Sequence, residues 1–275
     1  MSTAGELGPR TVVRDILVRA DPHRVWEAIA TADGLSAWFP RDAIVAPGDG
    51  GHIEFIWSDE MRYRASITRW EPPRRLLLST ADPATNPEAP LPFAMRIDHE
   101  IDPRKNGVVC LRLTQSGFPR DAAWDDFVEG CERGWDFQLE GLRRYLERGR
   151  REHRQLALAA RPALNLTREH AWARLIGPEG FNLGERDAPA APQVVMLAVM
   201  ELSLKIAVDR FDPGRDLWGA APKWDESWFR AHLDRTPEGC MVYLSISLYG
   251  SAAGDAAEWE RRFNELLEHL FPNAN

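Results

Sequence analysis

His99 is the side chain whose type and spacing most invite chemistry. It alternates with Met95, Ile97 and Ile101, and a period of two puts all four on one face of a strand. An imidazole among apolar neighbours can donate to a ligand or accept from it. It can equally be a core histidine satisfied by a backbone carbonyl or a water, and the spacing admits both. Asp98 and Glu100 fall on the opposite face, so local spacing makes no carboxylate–histidine pair. The other histidines, His23, His52, His153, His170, His232 and His269, are scattered without the paired spacing of a metal-binding helix, so no metal site is expected. The sequence holds no serine-centred elbow, no His-Glu-x-x-His and no dinucleotide fingerprint. No catalytic residue and no cofactor are assigned. Gly48-Asp49-Gly50-Gly51 precedes a strand rather than a helix, so it reads as a hairpin turn and not as a phosphate cradle. Asn165-Leu166-Thr167 matches a glycosylation acceptor, which would be idle in a cytoplasmic chain.

Composition narrows the partners. The 275-residue chain has a formal net charge of −8, divided evenly at about −4 on either side of residue 150. No basic face dominates, so nucleic acid and anionic membrane are poor partners. No apolar run approaches the ~20 residues of a membrane helix. Met1 to Arg10 lacks the charged and apolar regions of a signal peptide and reads as a loose leader. Cys110, Cys131 and Cys240 have no paired spacing, which suits a reducing cytoplasm and ordinary core use.

The elements that must position His99 follow from periodicity. Val12 to Arg19 is a strand, with Val13 and Leu17 interleaved by polar residues. Asp21 caps a helix with Pro22 at its first position and Val25, Trp26 and Ile29 on one side. A short helix, residues 34–39, stops at Pro40. Alternation then marks strands at 52–57, 63–67, 76–80, 95–101 and 109–113. Pro83, Pro87, Pro90 and Pro92 hold open the loop between the third and fourth of these. A long amphipathic helix from about Ala122 to Arg148 closes the half, with Phe127, Val128, Cys131, Trp135, Leu139, Leu142 and Leu146 on its buried stripe. The order is strand, two helices, five strands, long helix.

The second half echoes the first. Ile67-Thr68-Arg69-Trp70-Glu71-Pro72-Pro73-Arg74-Arg75-Leu76-Leu77 returns as Val208-Asp209-Arg210-Phe211-Asp212-Pro213-Gly214-Arg215-Asp216-Leu217-Trp218. Asp21 with Trp26 matches Thr167 with Trp172, and Val109 to Leu113 matches Val242 to Ile246. Trp135, Leu139, Leu142 and Leu146 match Trp259, Phe263, Leu266 and Leu270. Ordered echoes of this kind predict a diverged tandem duplication, with domains at 10–148 and 160–275 and a charged junction at 148–154. The second copy is degenerate: its first strand, 156–164, is weak, and Gly177-Pro178-Glu179-Gly180-Phe181 replaces the region of Trp38. Four of the eleven tryptophans, Trp26, Trp135, Trp172 and Trp259, recur at equivalent helical positions and read as core.

Three stretches carry a family resemblance: Ala20-Asp21-Pro22-His23-Arg24-Val25-Trp26 with Trp38-Phe39, then Trp70-Glu71-Pro72-Pro73-Arg74-Arg75-Leu76, then Gly134-Trp135 with Leu139, Leu142 and Tyr145-Leu146-Glu147. Through them residues 10–147 resemble the START-like (SRPBCC) superfamily, and within it the bacterial homologues of the C-terminal domain of the activator of the heat-shock protein 90 ATPase. The resemblance implies an α+β fold of two helix-grip domains, each a curved antiparallel sheet crossed by a long C-terminal helix. It also implies an apolar cavity between sheet and helix, placed here in the first domain. The cavity candidates are Trp38, Phe39, Phe55, Trp57 and Tyr63 from the first elements, Ile97, His99, Leu111 and Gln115 from the later strands, and Phe127 and Cys131 from the helix. The large rings either line such a space or fill it. Three functions remain open. The first is a binding protein for a small apolar or amphipathic molecule. The second is a cyclase- or hydratase-type enzyme using His99, Tyr63 and Gln115. The third is a cochaperone-like module with a protein partner.

Overall fold

The computed structural model describes residues 10–59, 61–80, 96–149, 154–183, 193–224, 227–249 and 254–272, with backbone alone at 96, 97 and 193. Met95, the side chain of Ile97, the prolyl loop and most of the junction at 148–154 therefore lie outside the described residues. The chain divides into two compact units, Met1–Arg151 and Glu152–Asn275. The second unit's first strand begins at Gln155, ahead of the domain start expected at 160.

In the first unit, β1 (Arg10–Arg19) leads into α1 (Pro22–Ala30) and α2 (Ala32–Ser36). Asp21 caps α1, its carboxylate accepting from the His23 amide at 2.8 Å. Gly34 lets α2 fold back on α1: a Cβ there would stand 2.0 Å from the Glu27 carbonyl oxygen. Six strands follow, β2 (Asp42–Ala46), β3 (His52–Ile56), β4 (Arg62–Glu71), β5 (Arg75–Ser79), β6 (Arg96–Pro103) and β7 (Val108–Phe118), then α3 (Asp125–Glu147). The antiparallel sheet runs β1-β7-β6-β5-β4-β3-β2. β2 is the strand that the periodicity missed. It is an edge strand with Ala43 as its one fully buried side chain, so it lacks the alternation of large apolar residues. On β1 the side chains facing the core are Val12, Ile16 and Val18, while Val13 and Leu17 stay 46% and 61% exposed. Pairing with β7 sets that register and turns the Val13–Leu17 face to solvent.

Among the described residues the second unit repeats this topology with one strand fewer. It comprises β8 (Gln155–Leu164), α4 (Arg168–Ile176), β9 (Gln193–Val199), β10 (Leu202–Asp212), β11 (Asp216–Ala221), β12 (Ser227–Thr236), β13 (Gly239–Leu248) and α5 (Ala256–Leu270). Its sheet order, β8-β13-β12-β11-β10-β9, is that of the first unit without β2. Even the irregularities recur. The β4–β5 pair slips register between Ile67 and Arg69, and β10–β11 slips between Val208 and Arg210. After each following turn the same amide lands on the same carbonyl, Ile101 N on Arg74 O at 2.8 Å and Leu233 N on Arg215 O at 2.9 Å. Trp26 meets Trp70 edge-on at 4.9 Å, and Trp172 meets Phe211 at 5.8 Å. Both units are helix-grip folds, and their shared slip marks them as copies. One echo shifts. By sheet register Leu111 corresponds to Val242, two residues from the alignment that sequence similarity offers.

One pair of side chains is reversed between the copies. On the outer face of the first sheet, Arg75 Nε and Nη2 reach Asp98 at 3.0 and 2.5 Å. At the corresponding positions of the second sheet stand Asp216 and Arg230, joined by two bonds of 3.0 and 2.7 Å. The first pair is half-exposed and the second buried, with side chains 7% and 1% accessible. Removing one partner of a buried pair strands the other charge, whereas a solvated pair contributes little. Asp216→Ala is therefore expected to destabilise its unit by about 3–5 kcal/mol, and Asp98→Ala by about 1 kcal/mol or less. Denaturant titration of both variants checks this, and equal losses would contradict the assignment.

Candidate functional site

The candidate site is the region where the N-terminal half of α3 packs over the inner face of the first sheet. The sheet supplies alternate side chains, Phe55 on β3, Tyr63 on β4, Leu76 and Leu78 on β5, His99 on β6, and Leu111, Leu113 and Gln115 on β7. Cα pairing sets His99 beside Leu76 on one flank and Leu113 on the other. From above, α3 presents Phe127, Val128, Cys131 and Trp135, the first three only half-buried. From the side, α2 and the turn after it deliver Trp38 and Phe39. Trp38 is fixed by its indole N–H donating to the Ala28 carbonyl at 2.9 Å.

Phe39 is the hub of the aromatic wall. Its ring lies 5.2 Å from Trp38 and 5.3 Å from Trp135, both stacked, and meets Phe55 and Trp57 edge-on at 5.6 and 5.4 Å. Phe55 continues the wall to Tyr63 at 6.2 Å. Phe127 stands at the far end against Phe118, also at 6.2 Å. Of the residues named from sequence, the structure thus joins Trp38, Phe39, Phe55, Trp57 and Tyr63 in one ring cluster. Leu111 is wholly buried beneath α3 in the same core. Gln115 is buried and committed, its Oε1 accepting from Trp135 Nε1 at 2.6 Å. Trp135 and Thr80 are the members that sequence reasoning did not assign to the site. The helical stripe marks Trp135 as core, and nothing local to it reveals a bond to a strand residue 20 positions earlier.

Two polar groups on this face are buried without a hydrogen bond, His99 Nδ1 and the Tyr63 hydroxyl. Desolvation raises the Tyr63 pKa, with the Thr80 side chain lowering it and Cys131 raising it in smaller measure, so the phenol stays protonated. Burial acts on His99 in the other direction, taking its pKa down to about 4 against the opposing pull of Asp98 and the Leu76 carbonyl. The imidazole is neutral at neutral pH. Among the described residues no cluster of three metal-ligating side chains occurs, and no described helix is long and apolar enough to cross a membrane. A separate groove of about 680 Å³ runs between α1, α2 and Tyr145, lined by Arg24, Glu27, Thr31 and Asp33; it lies away from the inner face and holds neither orphaned group.

The second unit shows what the fold looks like without these groups. By sheet register, Trp57, Tyr63, His99 and Gln115 correspond to Val199, Leu204, Ala231 and Ile246, all buried aliphatic side chains. α5 begins three residues before Trp259, where α3 begins ten before Trp135, so among the described residues α5 has no helical turns matching those that carry Phe127, Val128 and Cys131.

Comparison with known proteins places the first unit. Residues 19–147 match the family described as Activator of Hsp90 ATPase homolog 1-like protein. The solved structures similar to this chain include the Aha1 dimer from Colwellia psychrerythraea, 21% identical, covering 51% of this chain and 98% of that one with a TM-score of 0.43. A Mesorhizobium loti protein is 23% identical over 51% of this chain and 99% of its own, with a TM-score of 0.42. The di-domain ARO/CYC BexL from the BE-7585A biosynthetic pathway is 12% identical and covers 97% of this chain and all of its own (100%), with a TM-score of 0.43. No curated protein matches the chain.

The depressed pKa has a measurable consequence. The unfolded chain binds a proton at His99 near pH 6.5 and the folded one only near 4, so acid favours the unfolded state. Stability is complete above about pH 6.5 and falls as pH drops toward 4. At 1.36 kcal/mol per pKa unit this contribution approaches about 3 kcal/mol. His99→Phe should flatten the stability–pH curve across that window by this amount. Parallel curves for the two proteins would show that His99 is not the buried neutral group described.

Proposed function

We propose, from the match of residues 19–147 to the family described as Activator of Hsp90 ATPase homolog 1-like protein, that this chain is a cytoplasmic binding protein. It holds a small apolar or amphipathic molecule between the first sheet and α3, at the eleven positions anticipated from sequence. The observation that carries the reading is the contrast between the copies. One fold is stable with Val199, Leu204, Ala231 and Ile246 on its inner face. The first copy keeps Trp57, Tyr63, His99 and Gln115 there instead. A buried polar atom without a partner costs about 1–3 kcal/mol, and the second copy has aliphatic side chains at the two inner-face positions where the first carries His99 and Tyr63.

The chemistry favours holding over turnover. A general base works best with a pKa near the operating pH, and an imidazole with a pKa of about 4 is too weakly basic to draw a proton from carbon at neutrality. Gln115 is engaged by Trp135. What remains is an aromatic wall that excludes water and two polar groups that orient an occupant.

The test uses a neutral environment-sensitive fluorophore, N-phenyl-1-naphthylamine. The whole protein should bind one molecule per chain. Cys131→Trp, which adds bulk to the half-buried part of α3 above the sheet, should abolish binding while leaving the unfolding of the second unit unchanged. Retention of binding by that variant, or a stoichiometry of two, would overturn the placement.

A further inference from the structure

The His99 nitrogen defines what the occupant must bring. Nδ1 is inside the protein, makes no hydrogen bond, and sits between Leu76 and Leu113 on a face whose other copy has Ala231. Its side chain is 6% accessible. A neutral imidazole presents one nitrogen as donor and the other as acceptor, and a hydroxyl serves either because it both donates and accepts. A carbonyl or an ether serves only one.

Charge excludes a second class of ligand. Among the described side chains on the inner face the cations are Arg14 and, at the end of β1, Arg10, and both are spent on α3: Arg14 is bonded to Asp136 at 2.5 Å with Glu132 at 3.9 Å, and Arg10 to Asp125. A carboxylate or phosphate placed between sheet and helix would be buried without a counter-charge, which is costly. The walls add a shape requirement. Phe39, Phe55 and Trp57 already pack edge-to-face, and half-buried Trp57 and Phe127 leave ring surface for a planar partner at the two ends.

Resting on the binding function proposed above, we infer that the occupant is an uncharged, planar aromatic molecule carrying a hydroxyl group, and that this hydroxyl hydrogen-bonds His99 Nδ1. The Tyr63 hydroxyl, on the same face, supplies the second polar contact. Unit two, with Ala231 and Leu204 at these positions, takes no such molecule.

Three probes separate the terms by isothermal titration calorimetry on the whole protein: 2-naphthol, 2-methoxynaphthalene and 2-naphthoate. Naphthol should bind about tenfold more tightly than its methyl ether, the usual worth of one buried hydrogen bond, and naphthoate most weakly. His99→Phe should bring naphthol and the ether to similar affinity without weakening the ether. Tyr63→Phe, which keeps the ring, should reduce the preference in part. Should His99→Phe not fold, histidine-¹⁵N-labelled wild-type protein gives the same answer, since one imidazole nitrogen should shift with naphthol and stay unmoved with the ether. Equal affinities for naphthol and ether in the wild type overturn the hydroxyl requirement and leave the binding function standing. Tightest binding of naphthoate overturns the exclusion of charge. If none of the three binds, both readings fall.

Discussion

The bond from Trp135 Nε1 to Gln115 Oε1 holds the first unit's long helix to its sheet, and the other features of the site depend on where it sets α3. On one side of it, Leu139, Leu142 and Leu146 seal the helix against the strands with almost no exposure. On the other, Phe127, Val128 and Cys131 ride above the sheet half-buried. Ion pairs from β1 to the helix, Arg14 to Asp136 and Arg10 to Asp125, steady that second half. A polar clamp in the middle of an apolar stripe fixes register as well as distance, because indole and amide must meet within hydrogen-bond range. The second unit places Trp259 at the matching point but packs it on Trp224 at 5.0 Å, and beneath α5 its first strand offers Ala157, Ala159 and Ala163. Small side chains there let the helix settle onto the sheet.

The two units show how one topology divides its uses. Shared bulge, shared turn and shared tryptophan on the first helix are the parts that make the fold. The inner-face positions that differ are the ones that do not. Replacing Tyr63, His99 and Gln115 with aliphatic side chains leaves a sheet of the same strand order, so their polarity is not a folding requirement. That separation between what is kept and what is changed is the strongest guide to function inside this single chain.

Much of this was legible in the sequence because it is written in periodicity. Alternation through Ile97, His99 and Ile101 placed His99 inward, and the stripe from Phe127 to Leu146 placed the helix. The cap at Asp21 with Pro22 located α1. What escaped had no periodic signature. β2 buries one alanine, so no pattern announced it. The inward face of β1 was decided by pairing with β7, not by its own residues. The Trp135–Gln115 clamp joins a helix to a strand, a relation that only folding creates. The slip of two residues between the β7 and β13 echoes shows only in strand pairing, because alternating strands look alike at every shift of two.

The reversed ion pair has a consequence for how a chain with two such similar sheets assembles. A duplicated domain risks trading strands with its sister while the chain is still folding. Here β5 laid against β12 would bring Arg75 to Arg230, and β11 laid against β6 would bring Asp216 to Asp98. Each mistaken partnership sets like charge on like, in one case on a face that must become dry, while each correct one closes a two-bonded pair. The exchange of acid for base between the copies thus favours β5 on β6 and β11 on β12 over the two crossed partnerships.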